Sequence, residues 1–176
     1  MTLADVSALL ERQGIRHAII GATALAVHGV TRSSEDVDFL VTDRRCLEPA
    51  PWQALVADGV DVDIRRGDAD DPLAGVVRLR SADSQIDVIV GRGQWQNDVL
   101  TRARPTMLRG TLIPVVTAAD LVLLKLYAGG PQDAWDVDQL LDAVPTIEAE
   151  VTAALPALPT PCARLWQRIL ADRTAG

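Results

Sequence analysis

The chain has 176 residues, 48% of them hydrophobic and 23% charged, a balance that suits one domain with a buried core and excludes a disordered tract. Its net charge of −7 argues against a general nucleic-acid binder while leaving room for a local basic groove. Cys46 and Cys162 are too few and too isolated for a disulfide framework or a zinc site. With no signal peptide and no long apolar run, a cytoplasmic protein is expected.

Thr2 to Gln13 reads as an amphipathic helix, capped by Thr2 and closed by Gly14, with Val6, Leu9 and Leu10 at helical spacing. Ala18 to Ile20 is a short apolar strand, followed by a turn at Gly21 and a small-residue helix to about His28. After a polar loop a second strand carries Asp36-Val37-Asp38. Alternate residues of a strand share a face, so Asp36 and Asp38 point together while Val37, Phe39 and Val41 pack on the other side. Two carboxylates side by side repel, and a hard divalent cation such as Mg²⁺ resolves the conflict. Gly21 allows close backbone approach to a ligand, and the helix that starts near Ala22 offers unpaired N–H groups to an anion.

Pro49 and Pro51 interrupt the next stretch, with a helix expected from Trp52 to Ala57. Val60 to Arg66 alternates as a half-exposed strand. It holds a second Asp-Val-Asp, Asp61 to Asp63, and a third lies at Asp136 to Asp138 in a helical context, where i and i+2 diverge. The second copy has no glycine turn and short helix ahead of it at matching distance and the third is helical, so Asp36 and Asp38 are the pair chosen. Asp68, Asp70 and Asp71 form an acidic, solvated turn. Val76 to Arg80 and Gln85 to Val90 read as strands joined by Ser81 to Ser84. Asp87, alone within Ile-Asp-Val-Ile-Val, needs a partner, and a salt bridge to a nearby arginine is one answer.

Gln94 to Arg102 is expected as a helix, then a hairpin through Met107 to Val115 with Gly110 at its turn. Thr117 to Asp120 caps a further helix whose Leu121, Leu124 and Tyr127 can face a core. Lys125, the one lysine of the chain, sits on it ahead of the Gly129-Gly130-Pro131 break. A second helix carries Asp133, Asp136, Leu140 and Leu141, and the remainder is helical and punctuated by proline.

Gly21-Ala22, thirteen residues, then Asp36-Val37-Asp38 resembles the signature of the nucleotidyltransferase superfamily typified by DNA polymerase beta. The string Ala24 to Gly29, with Arg32, Ser34, Asp36 and Asp38, is similar to small bacterial members grouped with the AbiEii/AbiGii-type toxins. Ala22 departs from the usual second Gly or Ser of the turn, which leaves Thr23 as the nearby hydroxyl. The resemblance implies an α/β (α+β) minimal nucleotidyltransferase fold, a small mixed twisted sheet flanked by helices. It divides the chain into a core over residues 1–116 and a helical region over 117–176 packed on it.

It also implies Asp87 as a third site carboxylate, either a metal ligand or the group that draws the acceptor's hydroxyl proton. Two Mg²⁺ ions are then held by Asp36, Asp38 and Asp87, and Gly21, Ala22 and Thr23 hold the β- and γ-phosphates of an NTP. Lys125 followed by Asp133 and Asp136 resembles a further motif of the toxin-like group, with Lys125 meeting the nucleotide and Asp133 orienting it or the acceptor. Lys125 also suits the dipole of a helix end. Gly130 and Gln132 stand where that group commonly has basic residues.

The implied activity is transfer of an NMP from an NTP to a hydroxyl. On the resemblance, and on arginines clustered at 44/45, 65/66, 78/80 and 102/104/109, the acceptor expected is an RNA or tRNA 3′ end, with a cognate antitoxin protein as partner. The alternatives are an antibiotic-type small-molecule transferase and a non-catalytic nucleotide- or partner-binding relative.

Overall fold

The computed structural model describes residues 1–31 and 37–175, so Arg32, Ser34 and Asp36 of the motif lie outside the described residues. The chain forms two compact units, Met1–Thr23 with Ser34–Val116, and Ala24–Ser33 with Thr117–Gly176.

The first unit is built on a mixed seven-stranded sheet with helices along it. Its strands are β1 (His17–Ile20), β2 (Val37–Val41), β3 (Asp61–Arg66), β4 (Gly75–Ser81), β5 (Ser84–Val90), β6 (Arg104–Leu108) and β7 (Thr111–Val115), in the order β3-β4-β5-β2-β1-β7-β6. β2 runs antiparallel to β1 and parallel to β5, so the chain returns through the β3–β4 arm before laying β5 beside β2. One face takes Ile19, Phe39, Leu79, Ile86 and Val88, all essentially without exposure. The alternation that fills this face leaves Asp38 and Asp87 on the other.

Helix α1 (Leu3–Arg12) starts on a capping box in which Thr2 and Asp5 satisfy each other's backbone N–H groups. It is tied to β1 by a buried hydrogen bond of 2.7 Å between Ser7 Oγ and His17 Nε2, while His17 Nδ1 donates to the Ile15 carbonyl at 3.0 Å. The short helix α2 (Gly21–Val27) leaves β1, and its residues from Ala24 onward belong to the second unit. The expected helix at Trp52 appears as a 3₁₀ turn over Ala50–Trp52 and α3 (Gln53–Ala57). Trp52 is buried and donates to the Cys46 carbonyl at 2.8 Å. A further helix, α4 (Gln94–Arg102), follows β5.

The second unit is helical, with α5 (Ala118–Ala128), α6 (Pro131–Ala143), α7 (Glu148–Ala154) and α8 (Thr160–Ala175). The first of these four, α5, packs against the other three, and Val122, Leu126, Val137, Leu140, Val151 and Trp166 form the core. The expected α5 core face is corrected. Leu121 is buried, but Leu124 and Tyr127 are only half-buried, and Val122, Leu123 and Leu126 take their place. Contact with three helices widens the buried arc beyond one stripe. No helix among the described residues is long and apolar enough to cross a membrane.

Candidate active site

The site grows from the junction of β1 and α2. Gly21 has φ +63°, a left-handed conformation that glycine alone adopts without penalty. A Cβ built there would lie 2.1 Å from Asp38 Oδ2. The backbone at the start of α2 therefore lies against the Asp38 carboxylate, which the pairing of Ile20 with Asp38 brings level with the end of β1. Ala22 and Thr23 follow in the first turn and are half-buried. Thr23 also lines a cavity of about 910 Å³, with Val37, Arg109 and the β4–β5 turn.

Asp87 lies directly opposite Asp38 on β5. Partners in register on adjacent strands share a face and leave backbones about 5 Å apart, so the two carboxylates are neighbours that repel where no cation answers them. Across β4, Arg78 pairs with Asp87 in register. Its Nε donates to Oδ1 at 2.9 Å and to Oδ2 at 3.2 Å, and its Nη2 donates to Oδ2 at 2.7 Å. Asp87 thus has its arginine, and it stands in register beside Asp38. The row continues to Asp63 on β3, giving Asp38, Asp87, Arg78 and Asp63 across four strands.

The donors present fit a hard divalent cation, since they are carboxylate oxygens on neighbouring strands, beside a glycine whose missing Cβ makes room for Asp38. Among the described residues no three such groups gather, because these contribute Asp38 and Asp87 while Asp36 lies outside them.

The other Asp-Val-Asp copies have different surroundings. Asp61 pairs with Arg80 at 3.0 Å, and Asp63 with Arg65 at 3.0 Å. On α6, Asp136 is fully buried while Asp138 turns away to Arg173. In the second unit, the ammonium expected to meet an NTP is engaged by Asp133 Oδ1 at 2.9 Å and Asp136 Oδ2 at 2.8 Å. Burial alone would lower the Lys125 pKa, but its hydrogen bonds to the two aspartates outweigh this and hold it above the ordinary lysine value. Asp133 also accepts from the Gly130 N–H at 3.0 Å, closing the break before α6.

Two surface readings change. The acidic turn is an organised loop rather than a merely solvated one: Asp68 and Asp71 accept its backbone N–H groups, and Arg92 donates to the carbonyls of Asp68, Ala69 and Leu73. The arginine clusters are largely neutralised. Arg45 pairs with Asp43, Arg65 with Asp63, Arg66 with Glu48, Arg78 with Asp87 and Arg80 with Asp61. Asp43 and Asp63 lie two residues from their arginines, whereas Glu48, Asp61 and Asp87 come from other turns and strands, and so the clusters read as open along the chain. The alternation of Asp and Arg along β3 and β4 was the available signal.

A sequence model of the family described as "Nucleotidyl transferase of unknown function (DUF2204)" matches residues 1–155. No curated protein matches the sequence. Among solved structures, the antibiotic-resistance factor ANT(2'')-Ia aligns with a TM-score of 0.55 at 13% identity, over 98% of this chain and 91% of that one. A Thermotoga maritima protein described as a nucleotidyltransferase gives 0.56 at 15% identity, over 80% and 90%. The lincosamide antibiotic adenylyltransferase LnuA gives 0.52 at 15% identity, over 81% and 96%. These likenesses establish the fold.

Proposed function

We propose, for a chain that belongs to the nucleotidyl transferase family DUF2204, that it moves a nucleoside monophosphate from an NTP to an acceptor hydroxyl. The observation that supports this most is the approach of Gly21 to Asp38, because the missing Cβ lets the backbone at the start of α2 lie against a carboxylate that is itself in register with Asp87. Gly21, Ala22 and Thr23 bind the β- and γ-phosphates through the N–H groups at the start of α2. Asp36, Asp38 and Asp87 hold the divalent metal, Mg²⁺ on the resemblance, which when bound supplies charge neutralisation for the reacting phosphates. The other role that the resemblance implies for Asp87, in place of metal ligation, is to accept the hydroxyl proton of the acceptor.

For the acceptor, the pairing of the arginines removes most of the basic track that an RNA would follow. Over β3 and β4, a cavity of about 260 Å³ is lined by Asp63, Arg65, Asp71 and Arg78 among others, Arg78 being the residue that pairs with Asp87. Its size and mixed charge favour a small polar hydroxyl compound. A second reading, an RNA 3′ end, is favoured by Arg104 and Arg109 on the β6–β7 hairpin, which make no ion pair among the described residues.

The test is direct. NTP with Mg²⁺ should raise the melting temperature, and pyrophosphate should then appear once an acceptor is supplied from a small-molecule extract. Stabilisation with no pyrophosphate from either small-molecule or RNA fractions would make the protein a nucleotide binder and not a transferase.

A further inference from the structure

The contact between Arg78 and Asp87 differs from the other ion pairs of the sheet. Their side chains are 34% and 14% exposed, against 41% and 68% for Arg80 and Asp61 and 71% and 32% for Arg65 and Asp63. Arg78 has Asp63 in register on its other side, yet Asp63 is served by Arg65, and the two-armed contact of Arg78 goes to Asp87. A sheltered carboxylate beside a second carboxylate is costly to leave without a counter-ion, and Arg78 supplies that counter-ion.

We propose that Arg78 is a positioning residue of the metal site: it fixes the Asp87 carboxylate level with Asp38 and, as a cation already seated on Asp87, sets the divalent-metal concentration at which the site fills. This rests on the transfer reading to the extent that it is a divalent cation which enters at Asp38 and Asp87. The argument is electrostatic. The planar guanidinium fork uses both oxygens of Asp87 and locks the plane of the carboxylate. A divalent cation entering from the Asp38 side meets a carboxylate whose charge is partly answered, and it stands across that carboxylate from a fixed positive charge. The arginine therefore orders a ligand and weakens the pull on the metal at once. Removing it should tighten metal binding while loosening the geometry of Asp87.

The experiment titrates Mn²⁺ by electron paramagnetic resonance, without nucleotide, into the wild type, Arg78→Met, Arg78→Lys and Arg78→Met/Asp87→Asn. Arg78→Met should bind Mn²⁺ about tenfold more tightly or better, the range of a charge-assisted contact. Arg78→Lys, which keeps the charge without the fork, should stay within about threefold of wild type, and Asp87→Asn should erase the gain in the Arg78→Met background. Unchanged or weaker Mn²⁺ binding in Arg78→Met, with only a lower melting temperature, would reduce Arg78 to a structural pair and overturn the proposal. If Arg78→Met does not fold, the charge-neutral Arg78→Gln takes its place under the same criterion. Pyrophosphate release by the wild type with no change of Mn²⁺ affinity in the variants refutes this proposal and leaves transfer standing. Tighter Mn²⁺ binding in Arg78→Met, with no pyrophosphate from the wild type, refutes transfer and leaves the role of Arg78 standing. No Mn²⁺ binding by any of the proteins refutes this proposal, and pyrophosphate release then decides transfer by itself.

Discussion

Replacing Gly21 by alanine separates what the backbone needs from what the site needs. Two terms act at that position. The left-handed backbone costs an L-residue about 1–2 kcal/mol. The added Cβ would also sit 2.1 Å from Asp38 Oδ2, so the carboxylate has to leave its rotamer, which costs about 0.5–1.5 kcal/mol more. Gly14 provides the control, because it has φ +68° with nothing within 4 Å of a built Cβ and so carries the backbone term alone. For a chain of this size 1 kcal/mol is about 3 °C, so Gly14→Ala should melt about 3–6 °C below wild type and Gly21→Ala about 5–10 °C below. Thermal melts followed by circular dichroism give both numbers. At a temperature where both variants are folded, Gly14→Ala should keep its NTP- and Mg²⁺-dependent stabilisation and Gly21→Ala should lose it. A folded Gly21→Ala that binds NTP as the control does would show that the Gly21–Asp38 contact is packing and not part of a site.

Asp38→Asn should abolish transfer without unfolding the protein, since it removes one charge from a repelling pair, whereas Asp61→Asn should leave the rate near wild type; pyrophosphate release measures both. Lys125→Met should destabilise the second unit by about 3–5 kcal/mol, because it removes the cation that answers Asp133 and the fully buried Asp136, and Asp136→Asn in the same chain should recover part of the loss in denaturant melts. The raised Lys125 pKa means that its stabilisation is complete below 10.5, the ordinary lysine value, and is lost only as pH climbs through the higher folded value. His17 has the opposite sense: burial, ahead of its hydrogen bond to Ile15, lowers its pKa, so its contribution is complete above 6.5 and declines as pH falls from there towards the folded value. His17→Gln should flatten stability between pH 7 and about pH 5 if that buried ring is the cause.

Much of the local structure was legible because strand alternation, capping and turn residues carry their own geometry. The β4–β5 pair, the hairpin at Gly110 and the capped starts at Thr2 and Thr117 follow from local chemistry and stand where the sequence put them. Strand order was not legible. Nothing in Val37–Val41 says that its parallel neighbour is a strand some fifty residues on, and that pairing is what sets Asp38 beside Asp87. For the same reason, sequence alone left Asp87 open between a salt bridge and a site, while the register supplies Arg78 on one side and Asp38 on the other. On α5 the hydrophobic pattern named one face, whereas contact with three helices buries more than one.

Arginine clusters show the opposite failure, in which the pattern was visible and its meaning reversed. Read along the chain, Arg65/Arg66 and Arg78/Arg80 are basic pairs; read across the β3–β4 ladder, they are largely answered by Asp61, Asp63 and Glu48, with Asp87 taking Arg78. A polyanion would have to displace those acids, whereas Arg104 and Arg109 on the edge hairpin are open to one. The two acceptors therefore separate by salt. A small polar acceptor held beside Arg78 should be modified at a rate that changes little between about 50 and about 200 mM salt, and Arg104→Glu/Arg109→Glu should leave that rate alone. Transfer to RNA would fall steeply over the same range and fall further in the double variant, because every arginine–phosphate pair that is broken takes its share of counter-ion release with it. Steep salt dependence with loss of transfer in the double variant would overturn the small-acceptor reading and move the acceptor site from the Arg78 cavity to the β6–β7 hairpin.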